Sequence, residues 1–319
     1  MKSEYIGSEK VNIYMKNAIK VLCFTLAVII VAVSSFLIYF KWDKTDFEYV
    51  DSTEKGEVII TAYKGDSKNI IIPSKIRGKK VTQIDSGSFE ESDITSIEIG
   101  DNVTYIGKSA FRDCKSLKTV KLGKSILNID EGAFNECSSL EEIVLPKSLE
   151  KLGGSIFAGC TSLKKVTVED GGNFVIKDGV LFSTDMKILY FALPYQDLGN
   201  YVCPDSVEEI KPLAFYECES LTGFTFSNKV KNVPQGVFVL CTQLKELTIP
   251  DSVTQLGSAL IAGSGVKKIT IPASVKVIDD SAFIKTDGTV DSSLVIRTPS
   301  DAKAETYAKE KNIKLEIIK

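Results

Sequence analysis

Five cysteines recur at a fixed spacing, and the thiol is the most reactive group that this chain repeats. Two runs carry them at intervals of 23 residues: Cys114, Cys137 and Cys160, then Cys218 and Cys241. Stacked strands lie about 4.8 Å apart, which a disulfide tolerates, but three stacked cysteines cannot all pair. Other copies of this position hold Ser92, Ser264 and Thr286. We interpret the column as a small buried slot of free thiols, with a disulfide or reactive thiol as the alternative.

No other residue pattern indicates catalysis. Histidine is absent, which removes the Ser-His and Cys-His nucleophile pairs and the commonest metal ligand. No Cys-x-x-Cys pair occurs, and acidic pairs such as Glu141-Glu142 are scattered. The sequence therefore predicts a protein that is not an enzyme and holds no cofactor or metal. A net charge of -3 also gives no general attraction for nucleic acid.

The elements that position these residues are repeats of 23 residues. The cysteine column is accompanied by an aromatic column that we predict to be core: Phe111, Phe134, Phe157, Phe215 and Phe238. Each unit ends in alternating apolar and polar residues, as in Leu140-Glu-Glu-Ile143-Val-Leu145-Pro146, which is typical of a half-buried strand. One unit cannot offset the entropy of ordering its own chain, so neighbouring units must stack.

A turn column also recurs, with Asp or Gly in most units: Asp85, Gly107, Asp130, Gly153, Gly257 and Asp279. Such residues suit tight bends. Pro234 occupies the same column and fixes φ near −65°. This corner therefore cannot require a positive φ in every unit.

An apolar segment without charge, residues 21–40, precedes the repeats. Twenty helical residues span about 30 Å, the hydrocarbon core of a bilayer. Lysines before it outnumber those that closely follow it, so the positive-inside bias places the N-terminus in the cytoplasm and the repeats outside. The alternative is a cleaved signal peptide with a site near Ala32-Val33-Ser34, which would yield a secreted form.

The predicted layout has eight parts. They are a cytoplasmic tail (1–20), a transmembrane signal anchor (21–40), a linker (41–56), an N-terminal β cap (57–80), a first repeat block (81–168), an irregular hairpin-containing coil (169–206), a second repeat block (207–298) and a C-terminal cap (299–319). In the last part, Ser300 is predicted to N-cap a short helix that a strand follows.

Two sets of residues are candidates for binding. The first consists of exposed strand positions expected to line one face: Thr119, Lys121, Glu142, Lys165, Thr167, Glu246 and Thr248. The second consists of aromatic residues of the irregular coil: Tyr190, Phe191, Tyr195 and Tyr201. Aromatic residues are enriched in binding anchors. The alternatives are a solvated β face and aromatic rings that fill the gap where a hairpin packs on the solenoid.

The units resemble BspA-type leucine-rich repeats of bacterial surface proteins, also called the Treponema pallidum type. The resemblance rests on IGKSAFRDCKSLKTVKL, IDEGAFNECSSLEEIVLP and VPQGVFVLCTQLKELTIP, on NFVIKDGVLFS and on SDAKAETYAKEKNIKLEI, and it covers residues 57–319. It implies a right-handed leucine-rich-repeat solenoid of short β-strands and turns with few helices, following the single transmembrane helix. It also implies adhesion as a class of function.

We therefore expect a cell-surface protein that binds an extracellular protein or glycan and contacts the bilayer through residues 21–40. A receptor or sensor ectodomain that acts through a membrane partner is one alternative. A passive structural protein of the envelope is another.

Overall fold

Short parallel strands form because each repeat buries one row of apolar side chains and makes its backbone hydrogen bonds with the adjacent repeats. The computed structural model describes residues 45–193, 196–285 and 287–319. It contains a β-solenoid with strands on two sides of each coil, and residues Phe47–Lys319 form one compact unit.

The N-terminal coils contain strands on both sides. These are β1 (Phe47–Asp51), β2 (Glu57–Tyr63), β3 (Asn69–Ile71), β4 (Lys75–Ile76) and β5 (Lys79–Ile84). Strand β1 pairs antiparallel with β2, and β2 pairs parallel with β5. Part of the predicted linker, residues 41–56, is thus strand β1. Phe47 on this strand contacts Tyr63 and Phe89, so β1 extends the N-terminal cap.

The first repeat block follows the predicted period. Its strands are β6 (Ser96–Glu98), β7 (Tyr105–Ile106), β8 (Thr119–Lys121), β9 (Asn128–Ile129), β10 (Glu142–Leu145), β11 (Lys151–Leu152) and β12 (Lys165–Val168). The longer strands pair in the order β12-β10-β8-β6-β3, and the two-residue strands continue from β5 in the order β7-β9-β11.

The irregular coil begins with an antiparallel hairpin. It contains β13 (Phe174–Lys177), β14 (Val180–Ser183), β15 (Ile188–Ala192) and β16 (Gly199–Val202). Asp178 and Gly179, between β13 and β14, have φ of 49° and 75°, which the mirror-image hairpin turn requires. Strand β15 then rejoins the solenoid by pairing parallel with β17.

The second block and the C-terminal cap complete the chain. Their elements are β17 (Glu209–Ile210), β18 (Leu221–Thr225), β19 (Asn232–Val233), β20 (Glu246–Thr248), β21 (Gln255–Leu256), β22 (Lys268–Thr270), β23 (Val277–Ile278), β24 (Val295–Pro299), α1 (Lys303–Glu310) and β25 (Lys314–Ile318). The prediction that Ser300 caps α1 is wrong: Ala302 is the N-cap. The Glu305 carboxylate instead accepts a bond from the backbone N–H of Asp301 at 2.7 Å.

The longer strands share one side of the solenoid, and we call their exposed surface the ladder face. It comprises β3, β6, β8, β10, β12, β16, β18, β20, β22, β24 and β25. Its strands belong to three sheets, because β12 pairs with β10, β16 pairs with β18, and β20 begins a separate sheet. The ladder face is therefore interrupted on each side of the β16–β18 pair.

The aromatic column stacks along the core, as predicted. The Phe111 and Phe134 ring centroids lie 5.1 Å apart with planes 2° from parallel, and those of Phe134 and Phe157 lie 5.9 Å apart. Phe215 and Phe238 repeat the contact at 5.8 Å. The buried residues form two clusters that meet at the hairpin, one reaching from Val58 to Leu193 and the other from Val180 to Ile313.

The glycines of the turn column are needed for close approach between coils. A Cβ on Gly107 would lie 2.5 Å from the Ser86 nitrogen, and a Cβ on Gly153 would lie 2.4 Å from the Glu131 nitrogen. Neither glycine has a positive φ. That conformation occurs two residues later, at Ser109 (54°) and Ser155 (58°).

Within the described ranges, no helix has both the length and the apolar character needed to cross a bilayer. The predicted signal anchor at residues 21–40 and the tail at 1–20 lie outside those ranges.

Candidate functional site

The predicted strand-face residues lie side by side on the ladder face. Thr119 pairs in register with Glu142, and Glu142 pairs with Lys165. The members of this set are exposed except Thr167, which is half-buried. Between them, inward-facing residues such as Val120 and Ile143 are buried. The alternation holds the polar set on the surface because successive side chains of a strand point to opposite faces.

A groove of about 500 Å³ crosses the first four strands of this face, and we call it the first groove. It is lined by residues of β3, β6, β8 and β10. Two large apolar side chains are exposed in it: Ile71 is 71% exposed and Val144 is 48% exposed. Glu98 and Lys121 lie between them, because Ile71 pairs in register with Glu98 and Glu98 pairs with Lys121.

The charges around the first groove neutralise each other locally. The Lys121 ammonium lies 2.7 Å from the Glu98 carboxylate, and this hydrogen bond raises the pKa of Lys121 above its usual value. Asn69 accepts hydrogen bonds from Thr95 at 3.1 Å and Ser96 at 2.7 Å. The groove thus combines two exposed apolar side chains with a paired Asn69 and an ion pair, whereas the side chains of Thr119 and Glu142 have no partner among the described residues.

A second depression of about 540 Å³ lies on the ladder face of the second block, and we call it the second groove. Residues of β16, β18 and β20 and of the turns after β16 and β18 line it. Glu246 and Thr248, both predicted from the sequence, lie on its β20 side, and the Glu246 carboxylate is 3.3 Å from the Lys268 ammonium. Of the predicted strand-face set, Thr119, Lys121 and Glu142 thus line the first groove, Glu246 and Thr248 line the second, and Lys165 and Thr167 line neither.

The predicted aromatic set does not form a surface patch in the described chain. Tyr190, Phe191 and Tyr201 are buried, with 7–8% of each residue exposed. Phe191 contacts Phe157 with ring centroids 5.2 Å apart, and Tyr201 contacts Phe215 at 5.7 Å. These rings fill the space between the hairpin and the repeats. Tyr195 lies outside the described residues.

The cysteine column occupies a buried slot in each coil. Cys137 and Cys160 place their Sγ atoms 3.1 Å from the carbonyl oxygens of Phe111 and Phe134 in the preceding coils, and Cys241 lies 3.0 Å from that of Phe215. All column members are free thiols. Burial raises the pKa of Cys241 to about 12.

We expect these thiols to resist alkylation in the native protein at pH 8. Only the thiolate reacts, and a raised pKa keeps the native thiol protonated until the pH approaches about 12 for Cys241. Peptide mapping after a timed iodoacetamide pulse measures this. Urea-unfolded protein should be labelled fully, and a Thr119→Cys variant should gain one rapidly labelled exposed position. Rapid native labelling at several column positions would contradict the buried-slot interpretation.

Among the described residues, no cluster of three or more cysteine and acidic side chains is arranged to hold a metal ion. The strained backbone positions, such as Asp113 and Glu136 with φ of 57° and 59°, recur immediately before the cysteine slot. Their recurrence in successive coils indicates a structural corner.

Sequence reasoning missed the features that distinguish the two grooves. Ile71 and Val202 are large apolar residues at exposed strand positions, and Gly223 occupies a position where other coils carry a side chain. The signal was present as a departure from each column's usual residue type. It could be recognised only once the strand register was known.

The repeats of this chain match a known protein family. The model of the BspA type leucine rich repeat region matches residues 82–202 and 187–289, with six copies. No curated protein sequence matches the chain significantly.

Two solved structures with TM-scores above 0.5 share the fold. The pneumococcal vaccine antigen PcpA has a TM-score of 0.55 at 20% identity, covering 87% of this chain and 98% of that one. A leucine-rich repeat protein from Eubacterium ventriosum has a TM-score of 0.54 at 20% identity, covering 81% and 77%. A leucine rich cell surface protein from Faecalibacterium prausnitzii has a TM-score of 0.47 at 21% identity, covering 83% and 96%.

Proposed function

Because the chain belongs to the family of BspA-type leucine-rich repeat proteins, we propose that it is a non-catalytic recognition protein of the cell surface. Residues 21–40 anchor it in the membrane with the N-terminus in the cytoplasm. The repeats are displayed outside, where the first groove binds an extracellular protein.

The exposure of Ile71 and Val144 in one groove is the observation that carries this proposal. An isolated exposed apolar residue is ordinary on a protein surface, but two in one depression favour a docking surface. Burial of each against a partner contributes about 1.5–3 kcal/mol. The ion pair of Lys121 and Glu98 lies between these two side chains, because Glu98 pairs in register with both Ile71 and Lys121, and it helps to orient the partner.

A protein is the partner class that this groove fits. Its apolar side chains require an apolar complement, and the charges of Lys121 and Glu98 already pair with each other. Adhesion to another cell or to a matrix is the biological setting that the family resemblance supports. A receptor that acts through a membrane partner would use the same surface.

The test compares matched variants of the full chain. We expect beads carrying the native protein to retain at least one extracellular protein that Ile71→Glu and Val144→Glu retain at least about tenfold less, because each loses buried apolar area and places a charge in the interface. Quantitative mass spectrometry of the eluates measures the difference.

Val50→Glu is the control. Val50 is 50% exposed on β1, outside the first groove, and the change adds the same charge. A retained protein that survives Val50→Glu but not the groove variants supports the proposal. Identical retention by all four proteins, or no retained protein, would argue against it.

A further inference from the structure

The second groove differs from the rest of the ladder face at one strand position. In the column that holds Ser96, Thr119 and Glu142 in the first block, β18 has Gly223. Glycine inside a strand weakens it and often marks a place where another group approaches closely. Here the approaching group is the Asn200 side chain, since a Cβ on Gly223 would overlap its Oδ1 atom.

Gly223 therefore fixes the place of a carboxamide. Strand β16 pairs parallel with β18, with Asn200 directly opposite Gly223. The Asn200 carboxamide lies across the glycine, where any larger residue would displace it. A carboxamide offers both donors and an acceptor, and that of Asn200 has no hydrogen-bond partner within the described chain.

Other polar groups around the second groove are also unpaired. Among the described residues, the side chains of Asp205, Thr225, Asn228 and Thr248 form no hydrogen bond or ion pair with the protein, although they line the same depression. In the first groove, Asn69 and Lys121 have protein partners, whereas the side chains of Thr119 and Glu142 have none among the described residues. The second groove therefore presents a set of donors and acceptors that only solvent or a ligand can satisfy.

The chemistry of the lining selects the ligand class. An anionic ligand would face the carboxylates of Asp205 and Glu246, and the Lys245 ammonium already donates to the Thr242 carbonyl at 2.7 Å. A wholly apolar ligand would leave the amides and hydroxyls unpaired, which is costly. A saccharide suits both constraints, because its hydroxyls donate and accept while its C–H faces need an apolar contact.

Val202 supplies that apolar contact. It is 63% exposed and lies in the same groove, two residues after Asn200 on β16. The volume of about 540 Å³ falls within the usual range of small-molecule sites. We propose that the second groove is a binding site for a neutral saccharide, with Asn200 positioned by Gly223 and Val202 beneath the sugar ring.

The experiment is saturation-transfer NMR on the full chain, purified in a detergent without a sugar headgroup. The probes are galactose, mannose, N-acetylglucosamine and lactose. We expect transfer to at least one of them, and a loss of at least about fivefold in affinity for Asn200→Ala, as one lost hydrogen bond costs about 1 kcal/mol. Gly223→Glu introduces the residue that Glu142 and Glu246 provide at the equivalent position of their strands. Its side chain would displace the Asn200 carboxamide, so this variant should also lose binding.

Lys314→Glu is the matched control, since it places a glutamate in the same column on β25, exposed and outside both grooves. It should leave saccharide transfer unchanged. Asn200 is exposed, so Asn200→Ala keeps the test independent of any folding defect in Gly223→Glu. Absence of transfer to every probe, or equal transfer in native protein and Asn200→Ala, would overturn the proposal. Neither outcome bears on protein binding at the first groove.

Discussion

Replacement of Phe134 by alanine is expected to lower the free energy of unfolding by about 3–5 kcal/mol. The side chain is fully buried between the rings of Phe111 and Phe157. Truncation removes its apolar burial, both stacking contacts and the volume that the neighbouring coils enclose. Urea denaturation followed by circular dichroism gives the loss.

The position of the loss is as informative as its size. Phe134 belongs to the first buried cluster and Phe238 to the second. Coils of a solenoid interact mainly with their neighbours. Hydrogen exchange should therefore show weakened protection mostly before the hairpin in Phe134→Ala and mostly after it in Phe238→Ala. A uniform loss in both variants would mean that the two clusters unfold as one unit.

Gly123→Ala is expected to destabilise the protein by about 1–3 kcal/mol, an effect of overpacking. A Cβ at Gly123 would lie 2.4 Å from the Gly100 carbonyl oxygen and 2.8 Å from its carbon. Both atoms belong to the backbone of the preceding coil, so no side-chain rotation relieves the contact. The added methyl group must therefore push the two coils apart.

Gly100→Ala provides the matched comparison, because Gly100 lies at the same corner one coil earlier. Its Cβ would meet the Ile72 carbonyl oxygen at 3.6 Å, an ordinary contact. We expect a change within about 1 kcal/mol of zero, because the added methyl group makes an ordinary contact and reduces the entropy of the unfolded chain. Thermal unfolding of the pair measures the difference. Equal melting temperatures would show that the coils yield at this corner.

The period and its columns were predictable because they arise from local alternation repeated many times. Phe134 and Cys137 were placed in the core from spacing alone, and both are buried. Strand β1 was not predictable, because its pairing with β2 depends on a cap that no other unit repeats. Likewise, Ser300 is not the N-cap, because β24 extends to Pro299 and Ser300 and Asp301 form a turn. The helix therefore begins only at Lys303, with Ala302 as its N-cap.

The candidate sites were only partly predictable. The sequence identified exposed strand positions such as Lys121 and Glu246, since alternation decides which side chains face outward. It could not identify grooves, which depend on how adjacent coils align. It also assigned Tyr190 and Tyr201 to a candidate patch, whereas ring contacts with Phe174 and Phe215 hold them in the interior.

The in-register stacking of the first block has a genetic consequence. Glu142 lies opposite both Thr119 and Lys165, so each coil offers its successor the same pattern of backbone partners. An in-frame loss or duplication of one 23-residue unit would join equivalent corners, so the strands on either side of the junction would still pair in register. Recombination between neighbouring copies in the gene could thus change the length of the solenoid while conserving its cross-section.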